Sequence, residues 1–332
     1  MNRASLVFAV LLAVLVPLSL LAGRVWISPL GEGPQNAALI LAELRLPRAV
    51  LAVVIGAGLG AAGAAMQGFL RNPLADPGLF GIAPMAALGA VASFWLGSVL
   101  PPAFAAWSLP VMALSGAGLG MALLALIAGR TSSDAAGGAG GGIALFTLAG
   151  LMLASLAGAL TALAITLAPN PFALSEIVLW LNGALTDRSW REVAIAAPLT
   201  AAGIAVLMLA ARSLDALTLG EEAARSMGLD PRRLLGLLVV GVGLTVGAGV
   251  AVAGIIGFVG LVVPHLVRPL TDRLPSSLIL PSALAGAVLV LAADSIVRVL
   301  PLVTELRLGI ALSLIGAPFF GWLLLRMRKG RL

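Results

Sequence analysis

The feature that most constrains the fold of this chain is a succession of apolar stretches, each about as long as a lipid bilayer is thick. About 20 consecutive apolar residues are needed for a helix to cross the ~30 Å of hydrocarbon in a membrane. Nine stretches reach roughly this length, and a shorter one near 256–270 follows the seventh almost directly. We therefore predict an all-α polytopic membrane protein with about ten transmembrane helices. The long stretches lie near 4–22, 48–68, 79–99, 107–129, 143–167, 191–211, 234–254, 279–299 and 306–326.

The composition supports a membrane protein rather than a soluble one. Of the 332 residues, 61% are hydrophobic and only 10% are charged, which is too little charge to cover the surface of a soluble domain of this size. Glycine is abundant, with 40 residues, and small side chains let helices approach one another closely inside a bilayer.

The first apolar stretch follows Met1-Asn2-Arg3, a beginning that is also typical of a secretory signal peptide. Its apolar run continues to Ala22, which is about the length of a membrane span, whereas the apolar core of a signal peptide is shorter. We expect a retained first helix, with cleavage as the alternative.

The basic residues are distributed as expected for a membrane protein. They outnumber the acidic residues by 20 to 14, but they are scattered between apolar spans and form no patch for nucleic acid. Positive charge is instead enriched in loops that face the cytoplasm. The clearest cluster lies at the C-terminus, and an even number of helices then places both termini in the cytoplasm. This cluster comprises Arg326, Arg328, Lys329 and Arg331.

Several kinds of chemistry are excluded by the residues that the chain lacks. It has no cysteine, so disulfides, thiolate metal sites and cysteine nucleophiles are ruled out. Its one histidine, His265, is expected to be a packing or helix-end residue rather than a metal ligand. Its sole lysine, Lys329, lies outside any GxxxxGK[ST] loop, so we expect no ATP hydrolysis by this chain. An intramembrane enzyme would lack a credible catalytic pair.

Three connections between the predicted spans are distinctive. Residues 130–142 form a Gly-rich loop with no resemblance to a phosphate cradle. In the long connection at 168–190, the LSEIVLW piece is expected to make a short helix at the membrane surface. Residues 212–233 are the largest polar cytoplasmic insertion.

The segment LTLGEEAARSMGLDP at 217–231 has the features of a short helix within that insertion. Glu221 and Glu222 suit the positive N-terminal end of a helix, and Gly228 is suited to end it. Two interpretations are open: a solvated loop helix, or a docking helix that enters a groove on a cytoplasmic partner.

Small residues recur at intervals of four within several predicted spans. GAGLG occurs at 56–60 and again at 116–120. The same spacing is found elsewhere, and it predicts tight helix packing rather than contact with a substrate. The further members are Gly150, Ala154, Gly158, Gly243 and Gly247.

The second predicted span ends in a polar turn. Pro73 and Pro77 cannot continue a helix, and Asn72 favours a turn. We expect Arg71 and Asp76 to pair, a structural role, rather than to contact a ligand.

The stretch between the seventh span and its short successor is expected to break the helix. Gly254, Gly257 and Gly260 mark the break, and Pro264 removes a backbone donor. Irregular backbone at membrane depth is tolerated only beside protein or a water-filled cavity, so this region is predicted to border a transport pathway or gate.

A gradient-driven secondary transporter is the main functional alternative. Such a protein is expected to hold carboxylates or histidines deep within its spans. The nearest candidate here is Asp294, which is four residues from Arg298, and we expect the two to pair on one helix face.

Several motifs in the same order resemble one family. The coupling-like segment at 217–229 is similar to that of the FecCD-type permeases of ABC importers for iron-siderophores, heme and cobalamin. The chain resembles this family from about residue 43 to its end. The matching stretches are ELRLPR (43–48), GAAMQGFLRNPLADPGLFGI (63–82), WLNGALTD (180–187), GIIGFVGLVVPHLVR (254–268), AADSIVR (292–298) and IGAPFFGWLLLR (315–326).

The resemblance implies a single permease domain over 1–332 with the type II ABC importer fold, located in the bacterial inner membrane. It implies a homodimer, two cytoplasmic ATP-binding subunits that carry the ATP and Mg, a periplasmic substrate-binding protein, and no cofactor on this chain. Pathway-lining helices would correspond to 143–167, 256–270 and 306–326. The coupling segment would span about 213–230, with Leu217, Leu219, Gly220, Glu221, Ala224, Met227 and Gly228 as its contact residues.

The chain departs from the family pattern at two places. Ala83-Pro84-Met85 stands where the family has a stretch rich in Ser and Gly, and Arg307 follows Glu305-Leu306 where Pro is usual. Arg307 adds positive charge near the predicted outer mouth, where it would suit an anionic ligand, an acidic residue of the binding protein or an interfacial anchor. Ferric siderophore is the first expectation for the cargo, with heme and cobalamin next.

Overall fold

The computed structural model describes residues 3–23, 36–96, 101–134 and 141–328, and every regular element in these ranges is helical. A π-helical turn at Ile40–Arg45 joins α2 to α3, and 3-10 turns lie at Pro77–Phe80 and Arg268–Leu270. The α-helices are α1 (Arg3–Leu21), α2 (Ala37–Leu39), α3 (Leu46–Leu70), α4 (Ile82–Leu96), α5 (Pro102–Asp134), α6 (Gly141–Thr166), α7 (Pro171–Leu181), α8 (Trp190–Leu217), α9 (Glu221–Ser226), α10 (Pro231–Ala253), α11 (Val259–Val267), α12 (Pro275–Val299) and α13 (Leu308–Arg328).

The predicted membrane spans correspond to these helices. Eight helices in the described residues are long and apolar enough to cross a membrane, and α4, α7 and α11 are shorter apolar helices. The predicted stretch 79–99 begins later than expected, because Pro77–Phe80 forms a 3-10 turn and α4 starts only at Ile82. The short helix predicted from LSEIVLW is α7.

The predicted Gly-rich loop at 130–142 is shorter than expected. Helix α5 continues through Arg130 to Asp134, and α6 already begins at Gly141. Residues 135–140 lie outside the described part of the chain.

Helices α3 and α12 form the centre of the bundle, and both are largely buried. They approach so closely that a Cβ added to Gly56 would overlap the backbone of Gly286, and one added to Gly60 would overlap the Ser282 carbonyl. The packing role predicted for the first GAGLG motif is thus confirmed, since small residues allow this backbone contact.

Only one face of the second GAGLG motif, in α5, packs against another helix. A Cβ on Gly116 would overlap the Met85 carbonyl of α4, whereas one on Gly118 would have no neighbour within 4 Å. On α10, Gly243 lies against Met121 and Gly247 against Ala117, as predicted. The packing prediction is wrong for Gly158, where an added Cβ meets nothing within 4 Å in the described chain.

The bundle has two polar ends, which we name after the residues at the ends of α3. The Arg71 end carries α9 and the connection from α11 to α12, and the Arg48 end carries the connection from α12 to α13. Because α3 has 25 residues, these ends are about 37 Å apart, close to the thickness of a bilayer with its interfaces.

Candidate functional site

The segment predicted to dock a partner forms a short helix at the Arg71 end. Helix α9 begins after Gly220 and is followed by Gly228, with Glu221 and Glu222 in its first turn, as expected. Both glycines have positive φ, 103° and 88°, a conformation that favours glycine and lets the chain turn sharply on either side. Gly228 N–H donates to the Arg225 carbonyl and thereby ends the helix.

Helix α9 is anchored on one side and exposed on the other. Leu217 and Ala224 are fully or almost fully buried against the bundle. Leu219 and Met227, which flank the helix, are 66% and 64% exposed. Two large apolar side chains held in water on a charged segment are typical of a docking surface, because exposure costs free energy unless a partner covers them.

The turn after α3 contacts this segment directly. Arg71 adopts the left-handed conformation that caps α3, and its Nη2 lies 3.9 Å from Glu221 Oε1. Asn72 and Pro73 complete the turn, in which Asn72 Oδ1 accepts from Leu74 N–H at 2.9 Å. The turn therefore links the end of α3 to α9.

The predicted pairing of Arg71 with Asp76 is wrong. The Asp76 carboxylate instead accepts from Gly78 N–H at 2.7 Å and caps the 3-10 turn that precedes α4. Burial raises the pKa of Asp76, and the hydrogen bond from Gly78 opposes that rise. Local capping prevails because the partner is only two residues away, whereas Arg71 is turned toward Glu221.

The predicted break after α10 is present. Gly254 has a φ of 75° and Phe258 a φ of 66°, and α11 starts only at Val259. Hydrogen bonds hold both ends of the unwound segment: Ala184 N–H donates to the Ala253 carbonyl at 2.8 Å, and the Phe258 carbonyl accepts from Val262 N–H at 2.9 Å. Protein contacts on both sides of the break are what irregular backbone within a membrane requires.

This break borders an internal cavity of about 220 Å³. Gly254, Gly257 and Gly260 line it together with Ala83 and Pro84, the residues that depart from the family pattern. Pro264 is buried within α11 and is not among the lining residues. The structure thus brings together three of the four predicted pathway or gating residues.

An open groove of about 560 Å³ lies on the other side of the break. Phe258 and Gly257 line it from the break, and Ile310, Ser313 and Leu314 line it from α13. Two of the three predicted pathway stretches, 256–270 and 306–326, therefore meet at this groove. None of its lining residues comes from 143–167.

A buried charge network at the Arg48 end contains the predicted pair and more. Asp294 and Arg298 form the expected ion pair, with Oδ2 and Nε 3.1 Å apart. Arg48 also donates to Asp294, at 2.8 Å from Nη2 to Oδ1, and to Glu305. Glu305 in turn accepts from the Thr186 hydroxyl at 3.3 Å. Arg48 and Glu305 were missed by sequence reasoning because they lie 246 and 11 residues from Asp294.

The single histidine has a packing contact. The ring of His265 meets Phe319 of α13 edge-on, with the ring centroids 6.2 Å apart. Among the described residues no group of three or more His, Asp or Glu side chains could hold a metal ion. Arg307 lies near Arg188, whose pKa burial lowers, with the charge of Arg307 adding to that effect.

Long apolar helices, an unwound segment between two cavities and a short helix with exposed apolar flanks at one polar end are the features of an integral membrane permease. The chain belongs to the FecCD transport family, whose sequence model matches residues 6–326.

Several relatives cover most of the chain. The hemin transport system permease protein of Yersinia pestis is 37% identical over 87% of this chain and 84% of its own. The vitamin B12 import system permease protein of Serratia proteamaculans is 36% identical over 99% and 95%. The Fe(3+) dicitrate transport system permease protein of Escherichia coli is 36% identical over 87% and 86%.

A solved structure shares the fold. A metal-chelate type ABC transporter in an inward-facing conformation matches with a TM-score of 0.85 and 28% identity, over 97% of this chain and 98% of its own. The resemblance in sequence and the all-helical permease fold are thereby confirmed.

Proposed function

We propose that this chain is the membrane subunit of an ATP-driven importer for a metal chelate. Its expected assembly is a homodimer with two ATP-binding subunits and a periplasmic substrate-binding protein, with both termini in the cytoplasm. Relatives named for the transport of hemin, Fe(3+) dicitrate and vitamin B12 support a metal chelate as the cargo. Ferric siderophore is the first candidate, with heme and cobalamin next.

The observation that carries the proposal is the surface of α9 with its flanking residues. Leu219 and Met227 are exposed at the polar Arg71 end, while Leu217 and Ala224 attach the same segment to the bundle. A partner bound to the exposed Leu219 and Met227 can therefore transmit its movement to the bundle through the buried Leu217 and Ala224. This arrangement fits helix-in-groove docking of an ATPase.

The contacts of α9 supply a route from the docking surface to the membrane helices. Arg71 connects Glu221 to the end of α3, and Leu217 ends α8. Movement of α9 on ATP binding by the partner would then shift α3 and α8 as rigid bodies. The transported molecule undergoes no covalent change in this scheme.

The groove beside the break is the proposed wall of the transport pathway. Its lining is mainly apolar, with Asn182 and Ser313 as the polar members. A second copy of the chain facing this groove would enclose a passage at the two-fold axis. The glycine-rich break between α10 and α11 would allow α11 to tilt without unwinding either helix.

The decisive experiment is co-purification with the ATPase encoded beside this chain, followed by ATPase assays in liposomes. Replacing Leu219 and Met227 by Asp should weaken ATPase association more than tenfold, because each residue would contribute a large part of the binding free energy of the interface. The Leu219→Met variant is the matched control and should assemble like the wild type.

Two results would contradict the proposal. If the double Asp variant assembles and hydrolyses ATP like the wild type, α9 is not the docking element. If the wild-type chain binds no ATPase and transports in response to an ion gradient, the secondary transporter is the better assignment.

A further inference from the structure

A second cavity, of about 200 Å³, lies at the Arg71 end and has no part in the pathway proposed above. Four elements meet around it: the end of α3, the junction of α8 with α9, the end of α11 and the beginning of α12. We call it the three-arginine cavity. Its polar lining residues are Gln67, Arg71, Thr218, Arg268 and Arg273, and Pro275 lines it at the start of α12.

One guanidinium in this cavity is held in place but incompletely paired. Arg268 donates from Nη2 to Gln67 Oε1 at 3.3 Å, and buried Gln67 is itself fixed because Nε2 donates to the Leu261 carbonyl at 3.1 Å. The Nε of Arg268 is buried and has no hydrogen-bond partner among the described residues. A buried donor without an acceptor is costly, so this atom is suited to receive one from a ligand.

The charges around the cavity are unbalanced. None of the described lining residues is acidic, and Arg268 and Arg273 lie close enough to repel each other. Glu221 lies 3.9 Å from Arg71 and balances part of its charge, so the excess positive charge rests on Arg268 and Arg273. Two further carboxylates have other partners. Asp215 accepts from Ser276 N–H at the start of α12, and Asp272 accepts from Leu274 N–H.

Two of the three arginines have strained backbones. Arg71 has a φ of 48° and Arg273 a φ of 69°, a left-handed region that non-glycine residues adopt at a cost in free energy. Such conformations persist where the surroundings impose them, and they are concentrated at ligand-binding sites. Here both strained residues direct the chain around the same cavity.

We propose that the three-arginine cavity binds a phosphate group. Guanidinium groups match phosphate oxygens with paired N–H donors, and basic pockets between membrane helices bind phospholipid head groups. The phosphate comes either from a phospholipid of the adjoining leaflet or from solution. Once bound, it ties α3, α11 and α12 to the junction that carries α9, and so stabilises the arrangement seen here.

The test measures the melting temperature of the purified full-length chain and needs no ATPase, so its result is separate from that for the importer. One arm adds inorganic phosphate to the chain in detergent. The other reconstitutes the chain in nanodiscs of phosphatidylcholine with increasing phosphatidylglycerol. The variants are Arg268→Gln and the exposed Arg273→Gln, with Arg233→Gln as the control, since Arg233 is exposed on the first turn of α10 and outside the cavity.

We expect phosphate or phosphatidylglycerol to raise the melting temperature of the wild type and of Arg233→Gln. Each cavity variant should require about tenfold more ligand for the same rise, because it loses a charge-assisted hydrogen bond. A response to phosphatidylglycerol alone identifies a lipid head group, and a response to both identifies phosphate in general. The proposal is overturned if neither raises the wild-type value, or if Arg233→Gln is weakened as much as the cavity variants.

Discussion

Asp294 is the residue on which the charge network at the Arg48 end depends. Its side chain is fully buried on α12 and pairs with both Arg48 and Arg298. Removing one member of a buried ionic network leaves the other charges desolvated without compensation. Asp294 is therefore the carboxylate that two arginines at this end share, while Glu305, among the described residues, pairs with Arg48 alone.

We predict that Asp294→Asn lowers the free energy of unfolding by about 3–5 kcal/mol. The change keeps the shape of the side chain and removes only its charge, so Arg298 loses its ionic partner and Arg48 keeps only Glu305. Thermal unfolding followed by tryptophan fluorescence measures the effect.

Asp187→Asn is the matched control for this prediction. Asp187 is exposed and has a φ of 59°, a conformation that Asn also adopts readily, so we expect a change of less than ~0.5 kcal/mol. Equal melting temperatures for Asp294→Asn and the wild type would show that the network adds no stability.

Individual residue pairs also show which contacts can be predicted from the sequence and which cannot. The Asp294–Arg298 pair was predictable because both residues lie on one helix, four positions apart. Arg48 and Glu305 reach the same site from other elements, and no local pattern reports such a contact. The expected Arg71–Asp76 pair does not form. Gly78 N–H, two residues from Asp76, donates to its carboxylate, and Arg71 lies instead beside Glu221, which is distant in the sequence.

At the scale of elements, glycine positions decide how closely helices pack. The second GAGLG motif contains a natural comparison, because Gly116 faces the Met85 carbonyl and Gly118 faces open space. The repeat itself was visible in the sequence. Which glycine of the repeat touches a neighbour depends on how α5 is rotated about its axis. The sequence does not predict this rotation, because α5 is apolar on all sides and has no distinct buried face.

We predict opposite effects of alanine at these two positions. Gly116→Ala should destabilise the chain by about 1–3 kcal/mol, because α4 and α5 must separate to accommodate the methyl group. Gly118→Ala should stabilise it by up to ~1 kcal/mol through helix propensity. Melting temperatures of the two variants measured in one detergent test this difference, and the same sign for both would refute the assigned packing.

At the scale of the whole molecule, the Arg48 network joins segments that are far apart in the chain. Arg48 belongs to α3, Asp294 and Arg298 to α12, and Glu305 to the connection before α13. Arg298 also donates to the Ala22 carbonyl after α1 at 3.3 Å. The global stability of the bundle should therefore respond to the ionisation of this site.

We predict an acid-sensitive component of stability from Glu305. Burial raises the pKa of Glu305, but hydrogen bonds and the positive charge of Arg48 outweigh burial and hold the pKa below its ordinary value of 4.5. The carboxylate thus contributes stability above pH 4.5, and that contribution is lost as the pH falls through the lowered pKa.

The melting temperature of the wild type should therefore fall more steeply between about pH 5 and pH 3 than that of Glu305→Gln, which has no proton to gain at this position. Parallel curves for the two proteins across this range would contradict the assignment.

The unwound segment after α10 also affects how the chain enters the membrane during synthesis. Helix α11 has nine residues and a length of about 14 Å, less than half of the ~30 Å of hydrocarbon. Such a segment is too short to be released into lipid as an independent unit by the translocation machinery. We expect α11 to enter the membrane together with α10 and α12, so that its insertion depends on packing and not on hydropathy alone.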